Sequence, residues 1–219
     1  MNKLICKYIL QHYKYISFDV FDTLIERDVN KPSDIFTLVG GSILGEERAE
    51  EFHKFRKKAE REVREEKQYM EITLDQIYDK LGEIYERDII EKLKNEEIKM
   101  EIEHCHIKME MTTLYKACIK KEKHILIISD MYFPVEVIQR MLKHCNVMNY
   151  ESLYVSNECG ANKISGELFK IVMHQEGIKQ SEMIHIGDSV KADFLGPRKA
   201  GIKSVLISRK KRLERLIHS

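Results

Sequence analysis

Five short apolar runs punctuate the chain, at residues 15–18, 125–128, 153–155, 183–186 and 204–207. Each is near-continuous rather than alternating, the pattern of a strand buried on both faces. Between the last four lie helical stretches. Residues 135–143 follow Pro134, 166–175 stop at Gly177, and 192–200 stop at Gly201. Glycine suits a helix C-terminus because it enters the left-handed region without a Cβ penalty. Strand alternating with helix predicts an α/β architecture, a Rossmann-like doubly wound parallel sheet with helices on both sides. Ligands in such sheets bind beyond the carboxyl ends of the strands. Asp19, Ser129 and Asp188 each stand just past one.

The first two runs are separated by a segment of different texture, residues 31–121, rich in Glu and Lys and nearly free of β-branched runs. It reads as a helical cap inserted after the first core strand, leaving residues 1–30 and 122–219 as the core. Thr73-Leu74-Asp75-Gln76 has the form of a capping box. From Asp88 to Lys120 two apolar stripes recur at helical spacing, one through Leu93, Met100, Ile107, Met111 and Leu114, the other through Ile98, Ile102, Cys105 and Met109. They fall on nearly opposite faces, which predicts a helix clamped between neighbours in a small bundle. Arg56, Glu60 and Arg64 share a face at four-residue spacing and read as a salt-bridged ladder; the other reading is phosphate recognition by a guanidinium. His104 and His106, two apart on a helix, point to different sides and do not suggest zinc.

Composition narrows the class. The chain has 219 residues, with 37 Lys and Arg against 36 Asp and Glu and a net charge of +1. Its field is too weak for a bulk nucleic-acid or membrane binder. Five scattered cysteines without a C-x-x-C pair predict free thiols in a reducing compartment. The first nine residues are too short and too interrupted by Lys3 and Lys7 for a signal peptide or a span. A cytoplasmic protein without a membrane span is expected. The basic run Arg209-Lys210-Lys211-Arg212 reads as a solvated helix start.

Four elements carry chemistry. Asp19 is followed four residues later by Thr23. Ser129 ends an apolar run. Lys163 lies six residues before Phe169, and Gly187-Asp188-Ser189-Val190-Lys191-Ala192-Asp193 follows the run at 183–186. Singly, each is also an ordinary turn or cap residue. In this order and spacing they resemble the four motifs of the haloacid dehalogenase superfamily, over essentially the whole chain. Phosphoryl charge must be neutralised before a carboxylate attacks it, and magnesium, which takes few protein ligands, suits that task. The resemblance implies Asp19 as nucleophile and metal ligand, Asp188 as second ligand, Asp193 as a ligand through water or from behind, and the backbone carbonyl of residue 21 as a third. Lys163 would offset charge and orient Asp19. Thr23 and Ser129 would bind phosphoryl oxygens and the carboxylate.

Phe21 departs from that pattern. Phosphatases of the superfamily carry there a second Asp that protonates the leaving oxygen and later activates water. Phenylalanine leaves the carbonyl in place but cannot exchange a proton, a loss of roughly 10²–10⁴-fold unless another group replaces it. Asp22 is the candidate replacement, with a turn role as its other reading. Dehalogenases of the superfamily carry an aromatic there, but the acidic pair Asp188 and Asp193 argues against that chemistry. Residues 17–24, Pro32-Ser33-Asp34-Ile35-Phe36, residues 71–78 and Ser129-Asp130-Met131-Tyr132-Phe133-Pro134 resemble a bacterial group of predicted hydrolases that accompanies glycosyltransferases and polysaccharide assembly. The expectation is a magnesium-dependent phosphatase of a small phosphorylated molecule, a sugar phosphate among the candidates, working through an aspartyl-phosphate. The alternative is a weak or inactive module that binds a phosphorylated ligand or a glycosyltransferase or other polysaccharide-assembly partner.

Overall fold

The computed structural model describes residues 2–68 and 70–207; the basic run at 209–212 lies outside them. Helix α1 (Lys3–His12), capped by the Asn2 side chain, leads into β1 (Tyr15–Phe18). After β2 (Ile25–Arg27) come α2 (Asp34–Leu44), α3 (Glu46–Glu66), α4 (Leu74–Leu81) and α5 (Arg87–Glu103), then β3 (Cys105–Ile107) and α6 (Met109–Lys120). The chain continues through β4 (His124–Ser129), α7 (Val135–His144), β5 (Ser152–Val155), α8 (Ser156–Cys159), α9 (Glu167–Glu176), β6 (Met183–Gly187), α10 (Gly196–Lys199) and β7 (Lys203–Leu206).

The five strands expected from the apolar runs form one parallel sheet in the order β5-β4-β1-β6-β7. Because the chain passes from β1 first to one side and later to the other, the sheet has its topological switch at β1. Both faces are buried. Along β4, Ile125 and Ile127 join the core shared with α7, while Leu126 and Ile128 join the one that packs on α9. That two-sided burial is why the runs are continuous rather than alternating.

Helices α2 to α5 pack as a bundle, and the capping box of α4 is present, with Thr73 Oγ1 accepting from Gln76 N. One expectation is overturned: no single helix runs from Asp88 to Lys120. The chain leaves α5 at His104, and Cys105–Ile107 pairs antiparallel with Ile25–Arg27, Arg27 opposite Cys105. The tertiary partner overrides helical spacing there, and Met109 of the second stripe is exposed. The β2–β3 pair brackets the helical insertion. Helix α6 packs against α1 and β4. The stretch expected as a helix at 192–200 instead begins as a π-helical turn, Val190–Leu195, before α10.

The ladder on α3 is present, with Glu60 pairing with Arg56 at 3.2 Å and with Arg64 at 2.9 Å. Arg56, however, is wholly buried and grips Glu97 of α5 through Nε at 2.7 Å and Nη2 at 2.8 Å. Its guanidinium lies 4.5 Å from the centre of the Phe36 ring and 5.1 Å from that of Tyr132. Tyr132 belongs to the loop after β4, and its carbonyl accepts from Leu74 N at 2.9 Å. Arg56 therefore sits where cap and core meet, enclosed rather than presented to a ligand.

Candidate functional site

The sheet register gathers the polar residues at one edge. Phe18 pairs with Ile127 on one side and Ile186 on the other, so Ser129 at the end of β4 lies beside Asp19 and Asp188, which follow the ends of β1 and β6. Asp19 N donates to Ile186 O at 2.9 Å, which extends the ladder one residue and fixes where the carboxylate begins. Asp19, Asp188 and Asp193 are all buried, and one carboxylate oxygen of each lies within 4.8 Å of the others. Lys163 Nζ donates to Asp19 Oδ1 and to Asp193 Oδ1, both at 2.6 Å. Asp193 Oδ2 accepts from Ser189 N at 2.8 Å.

Two glycines make this closeness achievable. A Cβ at Gly187 would lie 2.3 Å from Asp193 Cγ, and one at Gly196 would lie 2.0 Å from the Lys163 carbonyl oxygen. Neither position admits a side chain. The turn carrying Lys163 is further pinned by Asp130, whose carboxylate accepts from Lys163 N at 2.9 Å.

The electrostatics are those of a cation site. Of the three buried carboxylates, Asp19 and Asp193 share Lys163. Asp193 takes most of the benefit: Lys163 and the His185 hydrogen bond outweigh its burial and hold its carboxyl far below the usual range. Asp19 goes the other way. Burial raises it to about 7, Lys163 opposes the rise, and the like charge of Asp193 adds to it. Burial penalises the Lys163 ammonium, but Asp19 and Asp193 more than offset this and keep it charged. Asp130 is pushed up to about 6 by burial, against the pull of Lys163. Thr23 Oγ1 is buried with no hydrogen-bond partner among the described residues, a cost of about 1–3 kcal/mol that a ligand oxygen would relieve. Hard oxygen donors from three clustered carboxylates and an orphaned hydroxyl fit magnesium and a phosphoryl group.

The structure thus brings together Asp19, Lys163, Asp188 and Asp193, with Thr23 and Ser129 buried at the same edge. Asp22 stands apart. It is exposed, its backbone is left-handed at φ 57°, and its carboxylate makes none of the hydrogen bonds of the cluster. The Phe21 ring is covered by the Arg27 guanidinium, 4.1 Å from the ring centre, and Arg27 Nε donates to Glu101 at 2.6 Å. Position 21 is therefore packed into the junction between core and cap.

Ser17 and His185 escaped the sequence reading, although polar residues inside otherwise apolar strands were a signal. Both are fully buried. His185 Nε2 lies 3.2 Å from Asp193 Oδ1, and its Nδ1 lies 2.8 Å from Ser17 Oγ. Burial lowers the imidazole pKa, with the Asp193 contact opposing.

Residues 46–207 match the family model described as haloacid dehalogenase-like hydrolase. No curated protein matches the sequence. Among solved structures, a protein described as a HAD-hydrolase, YfnB from Bacillus subtilis bound to magnesium, is similar at TM-score 0.60 and 18% identity, over 90% of this chain and 87% of that one. A 2-haloacid dehalogenase from Pseudomonas syringae is similar at TM-score 0.62 and 17% identity, over 89% and 86%. A predicted phosphoglycolate phosphatase from Haemophilus somnus is similar at TM-score 0.57 and 14% identity, over 89% and 84%. At these identities the likeness is one of fold.

Proposed function

Because the chain belongs to the haloacid dehalogenase-like hydrolase family, we propose that it is a magnesium-dependent phosphatase of a small phosphorylated molecule, working through an aspartyl-phosphate on Asp19. The observation that carries this reading is the buried cluster of three carboxylates, two of them bonded to Lys163. Asp19, Asp188 and the carbonyl of Phe21 would hold magnesium, with Asp193 behind them or through water. The metal would supply neutralisation of phosphoryl charge. Lys163 fixes the rotation of Asp19 through Oδ1. The Asp19 carboxylate attacks phosphorus as the bond to the leaving oxygen breaks, and Thr23 and Ser129 donate to the phosphoryl oxygens. Water then cleaves the acyl phosphate and regenerates Asp19.

Dehalogenation is the weaker alternative, although structural neighbours include dehalogenases. Two buried carboxylates beside Asp19 would oppose attack on a carboxylate-bearing substrate unless a cation were bound. The sequence resemblance favours sugar phosphates or polymer-linked phosphates as substrates and a polysaccharide-assembly partner, and the scattered free cysteines favour a cytoplasmic location. Among the described residues no helix is long and apolar enough to cross a membrane.

One observation favours a second reading, a binding module with little turnover. Phe21 occupies the proton carrier's place and is clamped there by Arg27. The test is phosphate release by purified protein with magnesium across phosphate esters and anhydrides. Turnover abolished by Asp19→Asn supports the phosphatase. If Asp19→Asn changes nothing, or if no compound is turned over although magnesium binds, the binding module is favoured. Phe21→Asp should raise the rate on alkyl esters by about tenfold or more.

A further inference from the structure

We propose that His185 and Ser17 are positioning residues for the metal cluster, acting through Asp193; the proposal rests on the magnesium reading above. An ionised carboxylate can only accept, so the contact from His185 Nε2 to Asp193 Oδ1 places the ring proton on Nε2. With the ring's one proton on Nε2, Nδ1 is the acceptor, and the Ser17 hydroxyl, 2.8 Å from Nδ1 against 3.4 Å from Ile184 O, donates to it. The result is a continuous buried chain, Ser17 to His185 to Asp193 to Lys163 to Asp19, anchored in the central strand β1 and its neighbour β6.

Its consequence is geometric. Asp193 Oδ1 receives Lys163 and His185 while Oδ2 receives Ser189 N. Three donors set around it fix the rotation of the carboxylate beside Asp19 and Asp188. Supports of this kind behind metal ligands are worth about 10–100-fold in metal affinity.

Packing offers a competing role, since the His185 ring meets the edge of Phe169 at 4.8 Å between centres. Two variants separate the roles. His185→Phe keeps the aromatic packing and loses the donor; His185→Gln keeps a donor at reach of Asp193 and loses the ring. Magnesium binding by calorimetry should leave His185→Gln within about threefold of wild type and weaken His185→Phe about tenfold or more. Phenylalanine binding magnesium as well as wild type, or better than glutamine, overturns the proposal. Ser17→Ala, which leaves the ring in place, should weaken binding by an intermediate factor; no change overturns the role of Ser17. If wild type binds no magnesium, the functional reading fails separately. The hydrogen-bond chain is still judged by two-bond ¹H–¹⁵N spectra of metal-free protein: a neutral Nε2–H ring is expected, and an Nδ1–H ring overturns it.

Discussion

Arg56→Met tests how the cap is held. Arg56 and Glu97 are both completely buried, and the guanidinium meets the carboxylate with two parallel bonds. Methionine roughly fills the volume but leaves Glu97 with a single remaining donor, the Tyr78 hydroxyl at 2.7 Å. Breaking one side of a buried pair costs about 3–5 kcal/mol because the stranded charge has lost its solvent as well as its partner. The lost stacking on Phe36 and Tyr132 lies within that figure. For a chain of this length, the loss corresponds to roughly 6–20 °C in melting temperature. Removing the stranded charge as well, in Arg56→Met with Glu97→Leu, should recover most of it, since apolar replacement of a buried pair is often neutral. Urea and thermal unfolding of the two single variants and the double measure the cycle. An Arg56→Met protein within about 1 kcal/mol of wild type would show that the pair is not buried in solution.

Three further outcomes follow from the site. Asp19 holds a proton up to about pH 7 without metal, so the apparent magnesium dissociation constant should rise about tenfold from pH 8 to pH 6, with proton release on binding. The same raised value means the metal-free protein loses stability as pH climbs from the ordinary carboxylate range through about 7, and saturating magnesium should flatten that slope; a stability that rises over this window contradicts the assignment. Gly187→Ala should weaken magnesium binding by at least about tenfold, because its methyl would collide with Asp193; calorimetry decides.

Much of this fold was legible because buried parallel strands leave continuous apolar runs, and the ends of those runs located Asp19, Ser129 and Asp188. The β2–β3 pair was not: Ile25-Glu26-Arg27 and Cys105-His106-Ile107 are too short to carry a period. The helical stripes ran straight across that break because apolar residues on either side happened to keep the spacing. The ladder of Arg56, Glu60 and Arg64 was legible, but the enclosure of Arg56 was not. Charges four apart on a helix look solvated, and only the tertiary partner Glu97 reveals the burial. Within the site, Lys163 and Asp193 were legible from motif order, whereas Ser17, His185 and the loop clamp of Asp130 depend on which face of a strand or loop a polar side chain takes. Phe21 was legible as a departure; the Arg27–Glu101 pair that clamps it was not.

The most direct test compares two leaving groups with magnesium present. A site with nucleophile and metal ligands but no proton carrier at position 21 should hydrolyse an aryl phosphate such as p-nitrophenyl phosphate in an Asp19-dependent manner, and an alkyl phosphate about 10²–10⁴-fold more slowly. Equal rates on both, or phosphate release from either that survives Asp19→Asn, would contradict the account.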